Sequence, residues 1–316
     1  MDHRKLGRSG LTIPPLMVGG NVFGWTADPK TSAMLLDALA DAGLVAIDTA
    51  DLYSAWAPGH SGGESETVIG DWLRAEPSRR AKAFIATKVG GKLGSGDSGL
   101  SPAWIARACE NSLRRLGVER IDLYQAHFDD ADTPLADTLG AFAKLVEAGK
   151  VAAIGCSNYS AARLREALDV SAAHHLPRYE SLQPEYNLVA RPSYEGALED
   201  LCVAEHVGVI TYFSLAAGFL SGKYRGEADL SKSQRGGGVA KYMTAKGTAV
   251  LAALDTIAAD LEATPAQVAL AWVMARPSVT AAIASATSLD QVTDLVSATR
   301  LGLSAADMAA LDAASA

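Results

Sequence analysis

Eight short apolar runs, each followed by a helical stretch before the next run begins, leave this chain few folds to choose from. The runs lie at 16–20, 45–48, 83–88, 121–127, 151–156, 180–183, 207–212 and 279–283. Uninterrupted apolar runs read as strands covered on both faces, as in a parallel sheet. Helical periodicity fills 31–42, 64–74, 134–149, 161–172 and 194–205, and a further helix opens at Ser101-Pro102. Ser101-Pro102 and Thr133-Pro134 both read as a hydroxyl cap followed by proline in the first turn. Stretches 248–261 and 264–275 and helices from Ser288 and Ser304 complete the chain. Strict alternation of this kind specifies a parallel β/α fold. A doubly wound sheet should carry a G-x-G-x-x-G turn after its first strand. Here that turn reads Gly19-Gly20-Asn21-Val22-Phe23-Gly24-Trp25, without the spacing. With no low-complexity linker, the expectation is an α/β fold, a (β/α)8 TIM barrel over residues 1–316 as one domain. An N-terminal β-hairpin turns at Gly7-Arg8-Ser9-Gly10.

Composition removes several function classes. Of 316 residues, 49% are hydrophobic, enough for a large core, and the net charge is -8. That charge argues against nucleic acid or an anionic membrane surface as partner. Cys109, Cys156 and Cys202 are odd in number, with no C-x-x-C pair. They suit a reduced cytoplasmic protein with neither disulfides nor a metal. No apolar leader follows Met1, and no run approaches the length of a membrane span. The expected location is the cytoplasm and the expected partner a small molecule.

Function is written at the strand ends. The second run ends at Asp48, with Tyr53 five residues later, the third at Lys88 and the fourth at His127. The next three end at Ser157-Asn158, Gln183 and Tyr212. In a (β/α)8 barrel these ends share one rim, where the loops build the active site. A lone acid or lysine after a strand is ordinarily a solvated loop residue. Six polar ends in succession are harder to assign to solvation. Tyrosine, with a reference pKa near 10, is a poor acid at neutral pH. A Lys88 ammonium beside it would favour the phenolate, and Asp48 would hold that lysine charged. His127 could donate to a substrate oxygen. Such a set suits protonation of a carbonyl oxygen as hydride reaches its carbon. Ser157, Asn158 and Gln183 can hydrogen-bond a carboxamide and Tyr212 offers a ring for stacking, as a nicotinamide requires.

Those residues sit in longer motifs. They are Arg4-Lys5-Leu6-Gly7-Arg8-Ser9-Gly10-Leu11, Asp48-Thr49-Ala50 with Tyr53, Ala86-Thr87-Lys88-Val89 and Leu123-Tyr124-Gln125-Ala126-His127. Further along come Gly155-Cys156-Ser157-Asn158, Gln183-Pro184-Glu185-Tyr186-Asn187 and Gly218-Phe219-Leu220-Ser221-Gly222-Lys223-Tyr224. In this order, over nearly the whole chain, they resemble the aldo-keto reductase family. The resemblance implies NADPH-dependent carbonyl reduction by a tetrad of Asp48, Tyr53, Lys88 and His127. It implies cofactor contacts at Gly20, Asn21, Val22, Asp48, Ser157, Asn158, Gln183 and Tyr212. The pyrophosphate would lie on Ser214, Leu215, Ala217, Gly218 and Lys223, with Arg235 near the phosphates. The adenosine end would meet Ile283, Ser285, Thr287 and Gln291. The glycine-rich segment 221–246 is expected to be a mobile loop covering the cofactor.

The chain departs from the family pattern in places. Ser54 stands where glycine usually follows the tyrosine. Phe128-Asp129-Asp130 replaces an aromatic-Pro-Asp turn, and Tyr212-Phe213-Ser214 lacks a proline. Ile283-Ala284-Ser285-Ala286 replaces a Pro-Gly-Ala run, and Leu295 an asparagine. No Lys or Arg lies between Arg276 and Arg300, so the grip on a 2′-phosphate is expected to be neutral. NADPH remains the expected cofactor, with a weak preference over NADH. Trp25, Trp56 and Phe128, with Tyr53 and His127, would wall the substrate pocket and suit bulky aldehydes, ketones or sugar-like carbonyls. Two other readings stand beside reduction: a cofactor-binding regulatory or sensor subunit, and a lyase forming a Schiff base at Lys88.

Overall fold

The computed structural model describes residues 2–234 and 236–316. The hairpin strands β1 (Arg4–Lys5) and β2 (Thr12–Ile13) pair antiparallel. Barrel strands then alternate with helices, beginning with β3 (Leu16–Gly19), α1 (Pro29–Asp41), β4 (Ala46–Asp48), α2 (Glu64–Ala75) and α3 (Ser78–Lys82). Next come β5 (Phe84–Val89), α4 (Pro102–Leu116), β6 (Ile121–Ala126), α5 (Leu135–Glu147), β7 (Val151–Ser157) and α6 (Ala161–His174). The remainder is β8 (Tyr179–Gln183), α7 (Ala197–Glu205), β9 (Gly208–Thr211), α8 (Ala245–Asp260), α9 (Pro265–Ala275), β10 (Ala281–Ala284), α10 (Leu289–Ala298) and α11 (Ala305–Ala314). Strands β3 to β10 pair in parallel, each with its neighbour in the chain, and β10 returns to β3. The eight-stranded barrel expected from the alternation is therefore closed, and closure removes the edges of the barrel sheet.

Local chemistry explains the boundaries. Asp28, Ser160, Thr244, Ser288 and Ser304 each accept a hydrogen bond from a first-turn backbone N–H of the helix they precede. At Thr264 the cap is reciprocal, with Gln267 reaching back to the Thr264 N–H at 3.3 Å. The expected caps at Ser101 and Thr133 form otherwise. Ser101 makes no side-chain cap bond, and the Thr133 hydroxyl donates to Asp130 Oδ2 at 2.8 Å. Asp130 also accepts from the Leu100 N–H at 2.7 Å, which ties the loop after His127 to the start of α4.

The interior has two characters. Along β3, Leu16 and Val18 join the large layer between strands and helices, while Met17 joins a separate cluster inside the barrel. That cluster holds Ala46, Ala86, Leu123, Ala153, Ile210, Ala281 and Ile283, closed by the fully buried Leu6 and Ile13 of the hairpin. Small alanines leave room for the two hairpin side chains. Burying each contributes about 1.5–3 kcal/mol. Toward the C-terminal ends of β4, β5, β6 and β8 the inward residues are polar: Asp48, Lys88, Gln125 and Gln183. The apolar floor and polar upper half place the chemistry at the C-terminal rim.

Segment 221–246 is a run of 3-10 turns at Glu227–Lys232, Gly236–Gly238 and Ala240–Tyr242. Arg225 clasps Asp255 through two bonds of 2.7 and 2.8 Å, and the Tyr242 hydroxyl donates to Glu185 at 2.7 Å. Arg235, expected near the phosphates, lies outside the described residues. Among the described residues no helix is long and apolar enough to cross a membrane.

Candidate active site

Pairing past the end of β4 sets the geometry: the Thr49 N–H donates to the Ala86 carbonyl at 2.8 Å and the Asp51 N–H to the Lys88 carbonyl at 3.1 Å. The chain then turns, with the Tyr53 N–H on the Ala50 carbonyl at 3.2 Å. Ser54 has φ 73°, a left-handed conformation in which glycine is at ease. Serine is held there by its hydroxyl, which donates to the Phe23 carbonyl at 3.0 Å. The departure from glycine is thus matched by a local hydrogen bond.

The four tetrad residues are brought together. Lys88 Nζ donates to Asp48 Oδ2 at 2.6 Å, to the Thr49 carbonyl at 2.9 Å and to the Tyr53 phenol oxygen at 2.8 Å. Both members of the Lys88–Asp48 pair are buried. Burial pulls the Lys88 pKa below its ordinary value, with Asp48 the chief opposing influence. The His127 ring stands 5.9 Å from that of Tyr53 and stacks on Phe128 at 4.6 Å, 6° from parallel. Burial, aided by the Lys88 charge, holds the His127 pKa well below 6.5, so the imidazole is neutral. Its Nδ1 is buried without a hydrogen-bond partner.

The residues expected to meet a carboxamide form one connected network. Gln183 Nε2 donates to Asp48 Oδ1 at 2.8 Å and to Gln125 Oε1 at 3.3 Å. The Ser157 hydroxyl donates to the Gln183 carbonyl at 2.7 Å. Asn158, at φ 62°, donates to the His127 carbonyl at 3.0 Å and accepts from the Tyr212 hydroxyl at 2.8 Å. Gln125 was missed as a site residue. Its signal was its place two residues before His127, which puts both on the same side of the chain at the end of β6.

A cleft of about 540 Å3 runs from Tyr53, Trp56, His127 and Phe128 past Asp48 and Gln183 to the loop after β10. Asn21, Val22, Ser157, Asn158 and Tyr212 line it, as do Ser214, Leu215, Ala217, Gly218 and Lys223. Ile283, Ser285, Thr287 and Gln291 line its far end. Gly20 and Trp25 do not line it. A Cβ at Gly20 would meet Ser65 Oγ at 3.0 Å and the Asp48 carbonyl at 3.1 Å, so the glycine permits close packing there. Trp25 supports the wall from behind, edge-on to Trp56 with centroids 5.5 Å apart. Unanticipated lining residues include Phe213 and Asp294, while Ser233 and Gln234 come from segment 221–246. Phe213, Ala216, Ala217 and Gly218 all have positive φ, which curls this backbone into a concave turn. Gly218 has φ 97°, which suits glycine, and a Cβ at Gly19 would lie only 2.5 Å from Ser285 Oγ, so glycine keeps the backbone and Ser285 close there. The Ser285 hydroxyl donates to Asn21 Oδ1 at 2.7 Å and joins the two sides of the cleft. An elongated cleft with amide donors at one end, and a concave turn with a lysine further along, fits a nicotinamide dinucleotide.

Comparison with known proteins gives the same picture. The sequence model of the Aldo/keto reductase family matches residues 15–316. The uncharacterized oxidoreductase YrpG of Bacillus subtilis (strain 168) is 33% identical over 313 residues, covering 96% of this chain and 92% of the relative. A probable voltage-gated potassium channel subunit beta of Oryza sativa subsp. japonica is 31% identical, over 93% of this chain and 90% of its own. L-glyceraldehyde 3-phosphate reductase of Escherichia coli (strain K12) is 30% identical, over 99% and 92%.

Proposed function

Because the chain belongs to the aldo/keto reductase family, we propose that it reduces an aldehyde or ketone to an alcohol, with Tyr53 as proton donor. It is an oxidoreductase of a family that uses nicotinamide cofactors on small carbonyl substrates. The observation that carries the reading is the 2.8 Å contact of Lys88 with the Tyr53 oxygen, backed by Asp48. Tyr53 gives its phenolic proton to the substrate oxygen. Lys88 favours the resulting phenolate, and Asp48 keeps Lys88 charged and in place. Neutral His127 orients the same oxygen by hydrogen bonding. Bound in the cleft, NADPH supplies the hydride. Ser157, Asn158 and Gln183 would hold its carboxamide after exchanging internal partners, Tyr212 its ring, and Ser214 to Gly218 with Lys223 its phosphates. Ser285, Thr287 and Gln291 would take the adenosine end, with NADH as the weaker alternative.

The substrate we propose is a neutral, bulky carbonyl. Trp56 and Phe128 are 46% and 44% exposed at the mouth, and Lys223, beside Gly218, is the one Lys or Arg among the described lining residues. The E. coli relative is named for a phosphorylated aldehyde, and an anionic group would find little cationic support beside these aromatics. Residues 1–316 would act as one domain, with 221–246 covering the cofactor, a role supported by Ser233 and Gln234 in the cleft wall. The cytoplasm suits three free, buried cysteines. The relative named as a channel subunit favours a second reading, a sensor that binds cofactor without useful turnover. Loss of reduced-nicotinamide absorbance on adding a carbonyl separates the two, and no loss across a carbonyl panel would leave the sensor. A Schiff-base lyase needs Lys88 unpaired, and its 2.6 Å contact with Asp48 opposes that.

A further inference from the structure

Three buried carboxyl groups, the buried Lys88 and the partly exposed Arg115 lie along the turn that leads to Tyr53 and the helices beside it. Asp48 is paired with Lys88 at 2.6 Å. Glu66 of α2 is paired with Arg115 of α4, also at 2.6 Å, and its other oxygen accepts from the Thr87 hydroxyl at 2.6 Å. The third acid is Asp51, midway along the turn from Asp48 to Tyr53 and 2% exposed. Its N–H is spent on the Lys88 carbonyl, and among the described residues no side chain hydrogen-bonds its carboxyl group; the Leu52 backbone N–H faces it, short of full hydrogen-bond geometry. The charged groups that act on it are Glu66 and Arg115 from the two helices and Lys88 from β5. Tyr124 of β6 feels its charge in turn, and the Tyr124 hydroxyl is likewise buried without a partner.

With every group ionised, this cluster would carry three negative charges against two positive ones. An unpaired ion is costly where water cannot reach it. Asp48 and Glu66 each hold a cation and a hydrogen-bond donor, so the surplus falls on Asp51. We infer that Asp51 is a positioning residue that keeps its proton in the working enzyme and thereby leaves the field of Lys88 on the Tyr53 phenol undivided. The inference rests on Tyr53 being the proton donor proposed above. Burial, then the neighbouring Glu66 charge, pushes the Asp51 pKa up to about 8. Above that pH the carboxyl releases its proton to solvent, Lys88 gains a second counter-anion, and Tyr53 is less inclined to ionise. The wild-type protein therefore resists losing the Tyr53 proton just where alkali would remove it.

The test compares pH profiles of kcat/KM for carbonyl reduction and alcohol oxidation in wild type, Asp51→Asn and Asp51→Glu. Asparagine cannot ionise, so the alkaline fall of reduction and the rise of oxidation should both move to lower pH, by about half a unit or more. Asp51→Glu should restore the wild-type profile. A uniform loss of rate with both limbs unmoved would mean a merely structural Asp51 and overturns the inference. Tyr53→Phe is run beside them. If it stays active, the assigned acid is wrong; if it is inactive while Asp51→Asn leaves the limbs unmoved, only the Asp51 inference fails. Infrared spectra of the cofactor-free wild-type protein decide the matter even if Asp51→Asn does not fold. A protonated-carboxyl band should persist at neutral pH and vanish above about pH 8, and its absence at neutral pH overturns the inference.

Discussion

Lys88 Nζ donates to the Tyr53 phenol oxygen at 2.8 Å and stands 4.6 Å from the centre of the same ring. One cation therefore addresses both the hydroxyl and the π face of the tyrosine. The contact to the face holds the ring, and the contact to the oxygen favours its ionised form.

Tyr53→Phe keeps the ring and removes only the hydroxyl. The kcat for reduction should fall by about 10³-fold, ~4 kcal/mol, within the usual range for a general acid. Nucleotide affinity, read by tryptophan fluorescence, should stay nearly unchanged. Retention of more than about a tenth of the wild-type kcat, ~1.4 kcal/mol, would remove Tyr53 from the role.

Lys88→Met should be costly to the fold as well as to the rate. It leaves Asp48 buried without its cation, a loss of about 3–5 kcal/mol. Adding Asp48→Asn should recover much of that stability and none of the activity. Denaturant melts of the two single variants and the double variant measure the coupling, and independent, additive losses would contradict a paired role.

His127 links stability to acid. Its folded pKa lies well below the ordinary 6.5 because burial and the Lys88 charge oppose protonation. The stability it contributes is full above about pH 6.5 and is lost as pH falls toward its folded pKa. His127→Gln should therefore flatten the fall in melting temperature below pH 6.5 while reducing kcat. An equally steep fall in the variant would assign the acid sensitivity elsewhere.

Cofactor preference should be modest. Among the described residues the far end of the cleft offers Ser285, Thr287 and Gln291, with Asp294 in the same wall. A neutral contact to phosphate is roughly half as strong as a charge-assisted one. NADPH should be favoured over NADH in kcat/KM by less than about a thousandfold, ~4 kcal/mol. A larger ratio would mean that a cation reaches the phosphate.

Segment 221–246 should become harder to cut when nucleotide binds, since Ser233 and Gln234 face the cleft. Limited proteolysis with and without NADPH reads this directly. Identical cleavage within the segment would deny it a covering role.

The strand ends could be read from the sequence because six of the eight apolar runs stop at a polar group, and the observed boundaries shift by only a residue or two. The five-residue α3 gave no periodic signal, being shorter than two turns. Thr133 looked like a cap, yet Asp130 captured its hydroxyl first. Gln125 sat inside a run otherwise read only as a core strand, β6. Asp51 and Glu66 passed for ordinary loop and helix acids. Nothing local says that Arg115, 49 residues after Glu66, arrives beside it. Burial of charge depends on which helix covers which strand end, and that is settled only when the barrel closes.

The hairpin that packs Leu6 and Ile13 into the lower end of the barrel also decides from which side the chemistry is reached. With that end filled by apolar side chains, the buried Asp48–Lys88 pair is shielded from below, and the cleft at the rim is the side from which a ligand meets the Tyr53 phenol.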